Sequence, residues 1–430
     1  MSDDDRPGPL SGIRVLAATQ IVAGPYAGIV LSDFGADVVK LEPLEGEGYR
    51  SSGALVAGEG KRFQSLNRGA KSLALDTSTE AGRAALHRII PSFDVVLTNY
   101  RPGVPERMGL GYETLRALHP GLIYCSITGF GDRGPLADKG ATDFVAAAFT
   151  GLIAGDEKVT PEGSPAQMTP AIADYTTGLA CVASINAALY HRERTGEGQR
   201  IDASLLASAL SIQDVYVMRQ AVTDASQRDP MMERVRALRA RGGTYEEILE
   251  ERAAYRWASA GPPRLYYNGY NAKDGQIVLG CLTKATRAGA RRVLGMQHDR
   301  SDEQDFDAYD PETRALVLRW RAEIAEKVRQ RTVAEWVAAF EAEGVPVAPV
   351  HLPEEVADHP QVQAMGLMVD FDHPVTGPQS VVGPITRMSA TPTRASRPSP
   401  ALGQHTDEVL RLGGLSDDEV AALRAQGVVR

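Results

Sequence analysis

Much that would announce a function is absent from this chain. Its 430 residues include three cysteines, Cys125, Cys181 and Cys281, each inside an apolar run and far from the others in sequence. That excludes a disulfide framework or a zinc site and predicts buried, reduced thiols. The eight histidines show no HExxH or similar spacing, so no structural or catalytic metal is expected. There is no basic run and the net charge is -9, which argues against nucleic acid as a partner but leaves room for a local basic pocket. No stretch approaches the roughly 20 apolar residues of a membrane span, and the acidic start Met1-Ser2-Asp3-Asp4-Asp5 is the opposite of a secretory signal. The expectation is a cytoplasmic protein with no membrane partner. Repeats and low-complexity segments are missing too. A hydrophobic fraction of 43% and a charged fraction of 23% are those of a soluble globular protein. The length predicts two domains, one of them possibly interrupted by the other.

What is present begins as a β-loop-α-β unit. A strand at 13–17, a loop at 20–25, a helix at 26–34 and a strand at 38–42 open a parallel sheet. Glu42 stands where a ribose-binding acid would stand in a dinucleotide site, but the GxGxxG fingerprint is missing: Gly24 and Gly28 are isolated and Pro25 follows Gly24. A nicotinamide site is therefore rejected. The glycine-rich stretch 46–60 reads as a loop over a ligand or partner. Strands follow at 72–75, 94–98 and 122–128, with helices at 78–90 and 112–118 between them; Thr77-Ser78-Thr79-Glu80 has capping-box spacing. The strand ends deliver 20–25, 99–107 and 129–142 to the carboxyl edge of the sheet, where open α/β folds bind ligands. Arg101 and Arg107 lie on the second of these and offer guanidinium forks suited to phosphate.

Residues 171–205 organise the rest. Asp174 precedes a long helix of small and apolar residues that ends on Thr195-Gly196-Glu197-Gly198-Gln199, before a strand-like run at 201–204 and a helix at 203–219. By itself Asp174 reads as an N-cap; a nucleophilic carboxylate is the alternative. Residues 223–262 are densely charged and predict solvated linker helices. A hairpin around Asn271-Ala272-Lys273-Asp274-Gly275, helices at 285–294, 311–330 and 333–343, and a return through 345–350 and the proline-rich 374–400 to a terminal helix from Ala401 complete the chain. The predicted organisation is a large domain at 1–222, a charged linker at 223–262, a small α+β domain at 263–350 and a return to the large domain at 351–430.

The chain resembles the family III CoA transferases, which include formyl-CoA:oxalate and carnitine CoA transferases and α-methylacyl-CoA racemase. The resemblance rests on Leu10-Ser11-Gly12-Ile13-Arg14-Val15-Leu16, Ala23-Gly24-Pro25, Gly35-Ala36-Asp37-Val38-Val39-Lys40-Leu41-Glu42-Pro43 and Asn99-Tyr100-Arg101-Pro102-Gly103. It also rests on Thr195-Gly196-Glu197-Gly198-Gln199-Arg200-Ile201-Asp202-Ala203-Ser204-Leu205 and Gly403-Gln404-His405-Thr406-Asp407-Glu408-Val409-Leu410. It implies an α/β fold: a Rossmann-like parallel-sheet large domain, a smaller α+β domain inserted in it, and two chains interlocked as a homodimer. It places the family's aspartate on Asp174. It places CoA contacts on Val22, Ala23, Leu75, Asp76, Thr77, Ser78, Asn99, Tyr100, Arg101, Arg107, Gly140, Ala141, Thr142 and Asp143. Coenzyme A and its acyl esters would be substrates, with no tightly bound cofactor, and a carboxylic acid would be the acceptor.

The implied reaction moves CoA from a thioester to a free acid through an aspartyl anhydride and an aspartyl-CoA thioester, with N–H groups around Tyr175 and Thr176 stabilising the oxyanions. Racemisation at the α-carbon is the alternative reaction. Racemase-like members carry a histidine in a Gly-His-Asp triplet, and here the run is Gly140-Ala141-Thr142-Asp143, whose Thr142 cannot act as that base. A CoA-ester-binding protein without turnover is a third reading. The glycine run that covers the aspartate in formyl-CoA transferase-like members is also absent, with Asn268-Gly269-Tyr270-Asn271 the nearest substitute, and Gln20 and Val22 depart from that subgroup's His and Gln.

Overall fold

The computed structural model describes residues 6–259, 264–307 and 310–430. The acidic start at 1–5 and the 260–263 junction between the expected linker and small domain lie outside the described residues. Two compact units are present. One comprises residues up to Lys158, Pro165–Met218 and Pro360–Arg430; the other comprises Val159–Ser164 and Arg219–His359.

The first unit is built on six parallel strands, β1 (Arg14–Ala18), β2 (Asp37–Glu42), β3 (Lys71–Ala74), β4 (Val95–Thr98), β5 (Ile123–Thr128) and β6 (Arg200–Ser204), in the order β3-β2-β1-β4-β5-β6. The helices between them are α1 (Ala23–Asp33), α2 (Lys61–Asn67), α3 (Glu80–Ile89), α4 (Val104–Arg107), α5 (Tyr112–Leu118), α6 (Asp143–Thr150), α7 (Leu152–Asp156) and α8 (Ile172–Thr195), and α9 (Leu205–Ser211) follows β6. The central strands β1, after Arg14, and β4 are buried on both faces because helices cover both sides. Val15, Ala17, Val95 and Leu97 pack with Ala27 and Val30 of α1 and Cys181 and Ile185 of α8. Their alternates Leu16, Ala18 and Val96 pack with Leu86 and Ile89 of α3 and with Val409, Leu410 and Val420 from the C-terminal segment. Cys125 and Cys181 meet in the first of these layers; their mutual hydrogen bond and burial hold the Cys125 thiol well above its usual pKa, as befits an inert packing residue.

The strand order reverses between β1 and β4, so the connections leaving these two neighbours diverge and open a crevice at their carboxyl ends. All six strands being parallel, every strand-end loop singled out in the sequence emerges on that same edge.

Several expectations need correction. The helix predicted at 203–219 is only Leu205–Ser211: Ala203 lies in β6, which ends on Ser204, and the Ser204 hydroxyl accepts the Ala207 N–H as the helix cap. Beyond it, Asp214 takes a left-handed φ of 47°, which breaks any continuation. Thr79, not Thr77, caps α3, accepting from Gly82 N–H. The return segment is not simply a connection, since Met368–His373 and Gly377–Val382 form an antiparallel pair. The terminal helix starts at Thr406 rather than Ala401.

In the second unit, Tyr267–Asn271 pairs with Gln276–Gly280 across the predicted turn. Residues 345–350 do not simply lead away: Val347–Pro349 adds a third antiparallel strand to this pair. Helices Lys284–Leu294, Pro311–Val328 and Val333–Ala342 contribute Leu294, Trp320, Trp336 and Phe340 to the core of this unit. The charged stretch holds helices Asp229–Ala240 and Tyr245–Ser259, joined by an Arg234–Glu251 ion pair at 2.6 Å. Met231, Val235 and Leu238 are buried at helical spacing, an apolar stripe hidden in a composition that reads as wholly solvated. Asn268-Gly269-Tyr270-Asn271 lies within a strand rather than a loop, with the Tyr270 hydroxyl buried and donating to the Leu265 carbonyl.

Candidate active site

The crevice is braced by a side-chain amide. Asn99, just past β4, accepts the Gln20 N–H at 2.9 Å and donates to the Gln20 carbonyl at 2.7 Å, which ties the ends of β1 and β4 together. The next residue, Ile21, takes a left-handed φ of 68°, costly for a β-branched side chain. It is held there by Glu47, whose carboxylate accepts the Ile21 N–H at 3.0 Å. The loop predicted at 20–25 is therefore shorter than expected: Val22 stands at the helix cap position and Ala23, Gly24 and Pro25 are already the first turn of α1. Gly24 is required, because a Cβ there would fall 2.5 Å from Thr19 Cγ2.

Beneath this turn lies a buried ionic cluster. Arg50 forms a two-pronged pair with Glu42, both bonds 2.7 Å, and Ser72 donates to the same carboxylate at 2.9 Å. Lys40 donates to the Thr19 carbonyl at 2.8 Å and lies 3.4 Å from Glu47. Burial pushes Glu42 upward, but the Arg50 hydrogen bonds and the Lys40 and Arg50 charges outweigh it, and its pKa is lowered overall. The acid at the ribose-binding place of a dinucleotide fold is thus committed to protein partners.

The other expected contact residues lie along the same edge. Leu75 is buried and Asp76 accepts from Ser78 N–H and hydroxyl at 2.9 and 2.6 Å, forming a turn after β3; Thr77 is buried and Ser78 exposed. Burial, followed by the Glu47 and Glu42 charges, raises Tyr100 to about 12, so it stays neutral. Arg101 and Arg107 are exposed and, among the described residues, neither is ion-paired. Gly140 admits Arg101 closely: a Cβ would sit 2.5 Å from its Nε. Ala141 and Thr142 lead into α6, whose first residue is Asp143.

Asp174 is not an N-cap. It is the third residue of α8, with Ala171 at the cap position, and its own carboxylate accepts no hydrogen bond among the described residues. The cap comes from elsewhere: Asp143 accepts the Asp174 backbone N–H at 3.1 Å, and also that of Ala173. Tyr175 N–H is engaged with the Ala171 carbonyl, so the expected oxyanion donor at Tyr175 is already occupied inside the helix. Asp174 is 9% exposed. Burial first, and the Asp143 charge second, raise its pKa to about 7. A buried acid without a hydrogen-bonding partner is costly to keep for structure alone, and a strongly shifted one is a mark of chemistry.

Helix packing brings Asp174 to the crevice. One turn on, Gly178 lets α8 approach the first turn of α1, since a Cβ would meet the Ala23 carbonyl oxygen at 2.8 Å. Tyr26 and Tyr175 close the contact edge to face at 4.8 Å between ring centres. Asp174, Asp143, Val22, Ala23 and Asn99 are thereby gathered around one edge of the sheet, whereas Leu75–Ser78 mark its far end beyond β2.

Residues 10–406 match the family described as CoA-transferase family III. The chain belongs to that family. Succinate–glutarate CoA-transferase of Agrobacterium fabrum is 34% identical over 422 residues, covering 94% of this chain and 96% of the relative. Human succinyl-CoA:glutarate CoA-transferase is 32% identical over 437 residues, 100% of this chain and 91% of the relative. Succinyl-CoA:mesaconate CoA-transferase of Haloarcula hispanica is 30% identical over 428 residues, with 95% and 97% covered. A CaiB/BaiF family protein from Brucella suis superposes with a TM-score of 0.71 at 29% identity, covering 98% of this chain and 100% of that structure.

For this family III protein, the sequence did not point to Glu47, Tyr26 or Gly178, which hold the site's frame. Gly178 carries no local signal because its need arises only when α1 lies against α8. Nor did it reveal a cavity of about 950 Å³ in the first unit, with Tyr26, Ile29, Tyr175, Lys61, Gln64 and Gln379 among its walls.

Proposed function

We propose that this family III CoA-transferase moves CoA from an acyl-CoA to a free dicarboxylic acid, with Asp174 as nucleophile. The observation that carries the assignment of the nucleophile is the buried Asp174 carboxylate, which accepts no hydrogen bond among the described residues. The class of acid is supported by the names of the relatives, whose substrates are succinyl, glutarate and mesaconate groups.

The ionised carboxylate attacks the thioester carbonyl and expels CoA thiolate, leaving an aspartyl-acyl anhydride. The thiolate attacks the aspartyl carbonyl of that anhydride and releases the donor acid, leaving an aspartyl-CoA thioester. The acceptor carboxylate attacks this thioester and again frees the thiolate. Attack of thiolate on the acceptor carbonyl of the second anhydride yields the new acyl-CoA and restores Asp174. Two intermediates are prone to hydrolysis, so the site must exclude water. Burial raises the acid's basicity and so its nucleophilicity, while leaving it half ionised near neutrality.

CoA is assigned to the strand-end groups: Val22 and Ala23 at the start of α1, Leu75, Asp76, Thr77 and Ser78, Asn99, Tyr100, Arg101 and Arg107, and Gly140, Ala141, Thr142 and Asp143. The exposed guanidinium groups of Arg101 and Arg107 suit the phosphates. The Rossmann-like large domain, the inserted small domain and an interlocked homodimer in the cytoplasm complete the reading. The exposed run of Val215, Tyr216, Val217 and Met218 supports burial against a second copy.

Incubating the protein with succinyl-CoA and glutarate should yield glutaryl-CoA. Asp174→Asn should reduce the rate by about 10³-fold or more, as for removal of a nucleophile. Hydroxylamine added during turnover should place a hydroxamate on Asp174 detectable by mass spectrometry. Undiminished transfer by Asp174→Asn would sink the assignment.

A further inference from the structure

We infer that the backbone N–H groups of Val22 and Ala23 form the oxyanion site for the reaction at Asp174, and that Glu47 is the positioning residue that aims them. This rests on the CoA-transferase reading and supplies the donors that reading lacks. As an Asp174 carboxylate oxygen bonds to the thioester carbonyl carbon, an electron pair moves onto the carbonyl oxygen; its return expels CoA thiolate. The transient anion needs fixed donors, and the Tyr175 N–H is already spent on the Ala171 carbonyl. The start of α1 has donors to spare. Val22, Ala23 and Gly24 are buried, yet among the described residues none of their N–H groups has a partner. Buried N–H groups are almost always paired, so these call for an acceptor from outside the chain.

Helix packing sets these donors beside the nucleophile. α1 follows β1 and α8 leads into β6, so both helices run from the carboxyl edge of the parallel sheet to its amino edge, packed against each other. Gly178 fixes their relative level: a Cβ on it would fall 2.8 Å from the Ala23 carbonyl oxygen and 3.5 Å from the Ala27 nitrogen. Asp174 lies four residues earlier, on the same face and one turn, about 5.4 Å, nearer the carboxyl edge. The N–H groups of a helix start point to that same side, opposite to its carbonyls. The Asp174 carboxylate, 9% exposed and accepting no hydrogen bond among the described residues, therefore stands level with the N–H groups of Val22 and Ala23.

Glu47 holds the turn that aims them. One of its oxygens accepts the Ile21 N–H at 3.0 Å, and the other lies 3.4 Å from the Lys40 ammonium, which itself donates to the Thr19 carbonyl at 2.8 Å. Its own N–H donates to Glu42 at 3.3 Å. Ile21, at φ 68°, would leave the left-handed region without that acceptor. Its release would swing the peptide that carries the Val22 N–H. The strain at residue 21 is thus spent on the direction of the next two donors.

The test uses the full chain with succinyl-CoA and glutarate. Replacing Ala23 by its α-hydroxy acid swaps one N–H for an ester oxygen; kcat should fall roughly 100-fold, the scale of one lost oxyanion donor. KM should stay within about 3-fold, as for an interaction made only in the transition state. Because that N–H is unpaired in the fold, the urea unfolding midpoint should not move. Glu47→Ala should lower kcat roughly 10- to 100-fold. Adding Ile21→Gly, which adopts the left-handed turn without strain, should restore kcat to within about 5-fold of wild type. Wild-type kcat in the Ala23 ester overturns the donors, and this variant decides the matter even where Glu47→Ala does not fold. Wild-type kcat in Glu47→Ala, or a loss that Ile21→Gly does not repair, overturns the role of Glu47. Each of these leaves the transferase reading intact. Failure of the wild type to move CoA to any acid removes that reading and this inference with it.

Discussion

The Asp143 carboxylate accepts the backbone N–H of Asp174 at 3.1 Å, so one acid holds the helical turn from which the other projects. The two roles of Asp143, acceptor and charge, are separable. Asp143→Asn keeps an acceptor and removes the charge, which should lower the Asp174 pKa and move the acidic limb of the kcat/KM–pH profile to lower pH. Asp143→Ala removes the cap as well and should cost about 1 kcal/mol of stability, read by urea unfolding.

Asp174 itself should make stability depend on pH. Its folded pKa of about 7 exceeds the ordinary 3.8, so the folded protein binds this proton more tightly than the unfolded chain does. The penalty of ionising it is absent below about pH 4 and grows as pH rises toward 7. Asp174→Asn should therefore gain in melting temperature over wild type as pH is raised from 4 to 8, while losing activity throughout. A melting difference that is flat with pH would contradict the raised pKa.

The buried Arg50–Glu42 pair should be intolerant of single changes. Arg50→Met strands a carboxylate in the core and should cost about 3–5 kcal/mol, measured by chemical denaturation. Glu42 contributes with the opposite sign to Asp174. Its pKa is lowered in the fold, so its stabilisation is present above the unfolded pKa and is lost as pH falls through the folded one.

Gly178→Ala should disturb the site without touching a reacting group. Its methyl would press on the Ala23 carbonyl oxygen at 2.8 Å, and separating α8 from α1 should cost about 1–3 kcal/mol. A variant with wild-type stability and KM would show that the two helices do not need this close approach.

The parallel sheet was legible because its strands are short apolar runs separated by turn signals, as in 94–98 and 122–128. The end of α8 was legible for a similarly local reason: Gly196, at φ 76°, closes the helix after Thr195 with its N–H on the Arg192 carbonyl. Asp174 was singled out, but its setting was misread. Local spacing proposes a cap from the residue itself, whereas the cap comes from Asp143, 31 residues earlier. Glu47 escaped notice because the stretch around it has no periodicity, and its order comes from the buried Arg50. The stripe of Met231, Val235 and Leu238 was masked by the charged residues between them.

The Asn99 brace engages residue 20 only through its main chain, as donor on one side and acceptor on the other. The Gln20 side chain is consequently exempt from the work of holding the crevice together. Position 20 can be exchanged without disturbing the joint, which makes it a place where this scaffold can be retuned toward new acids while its architecture stays constant.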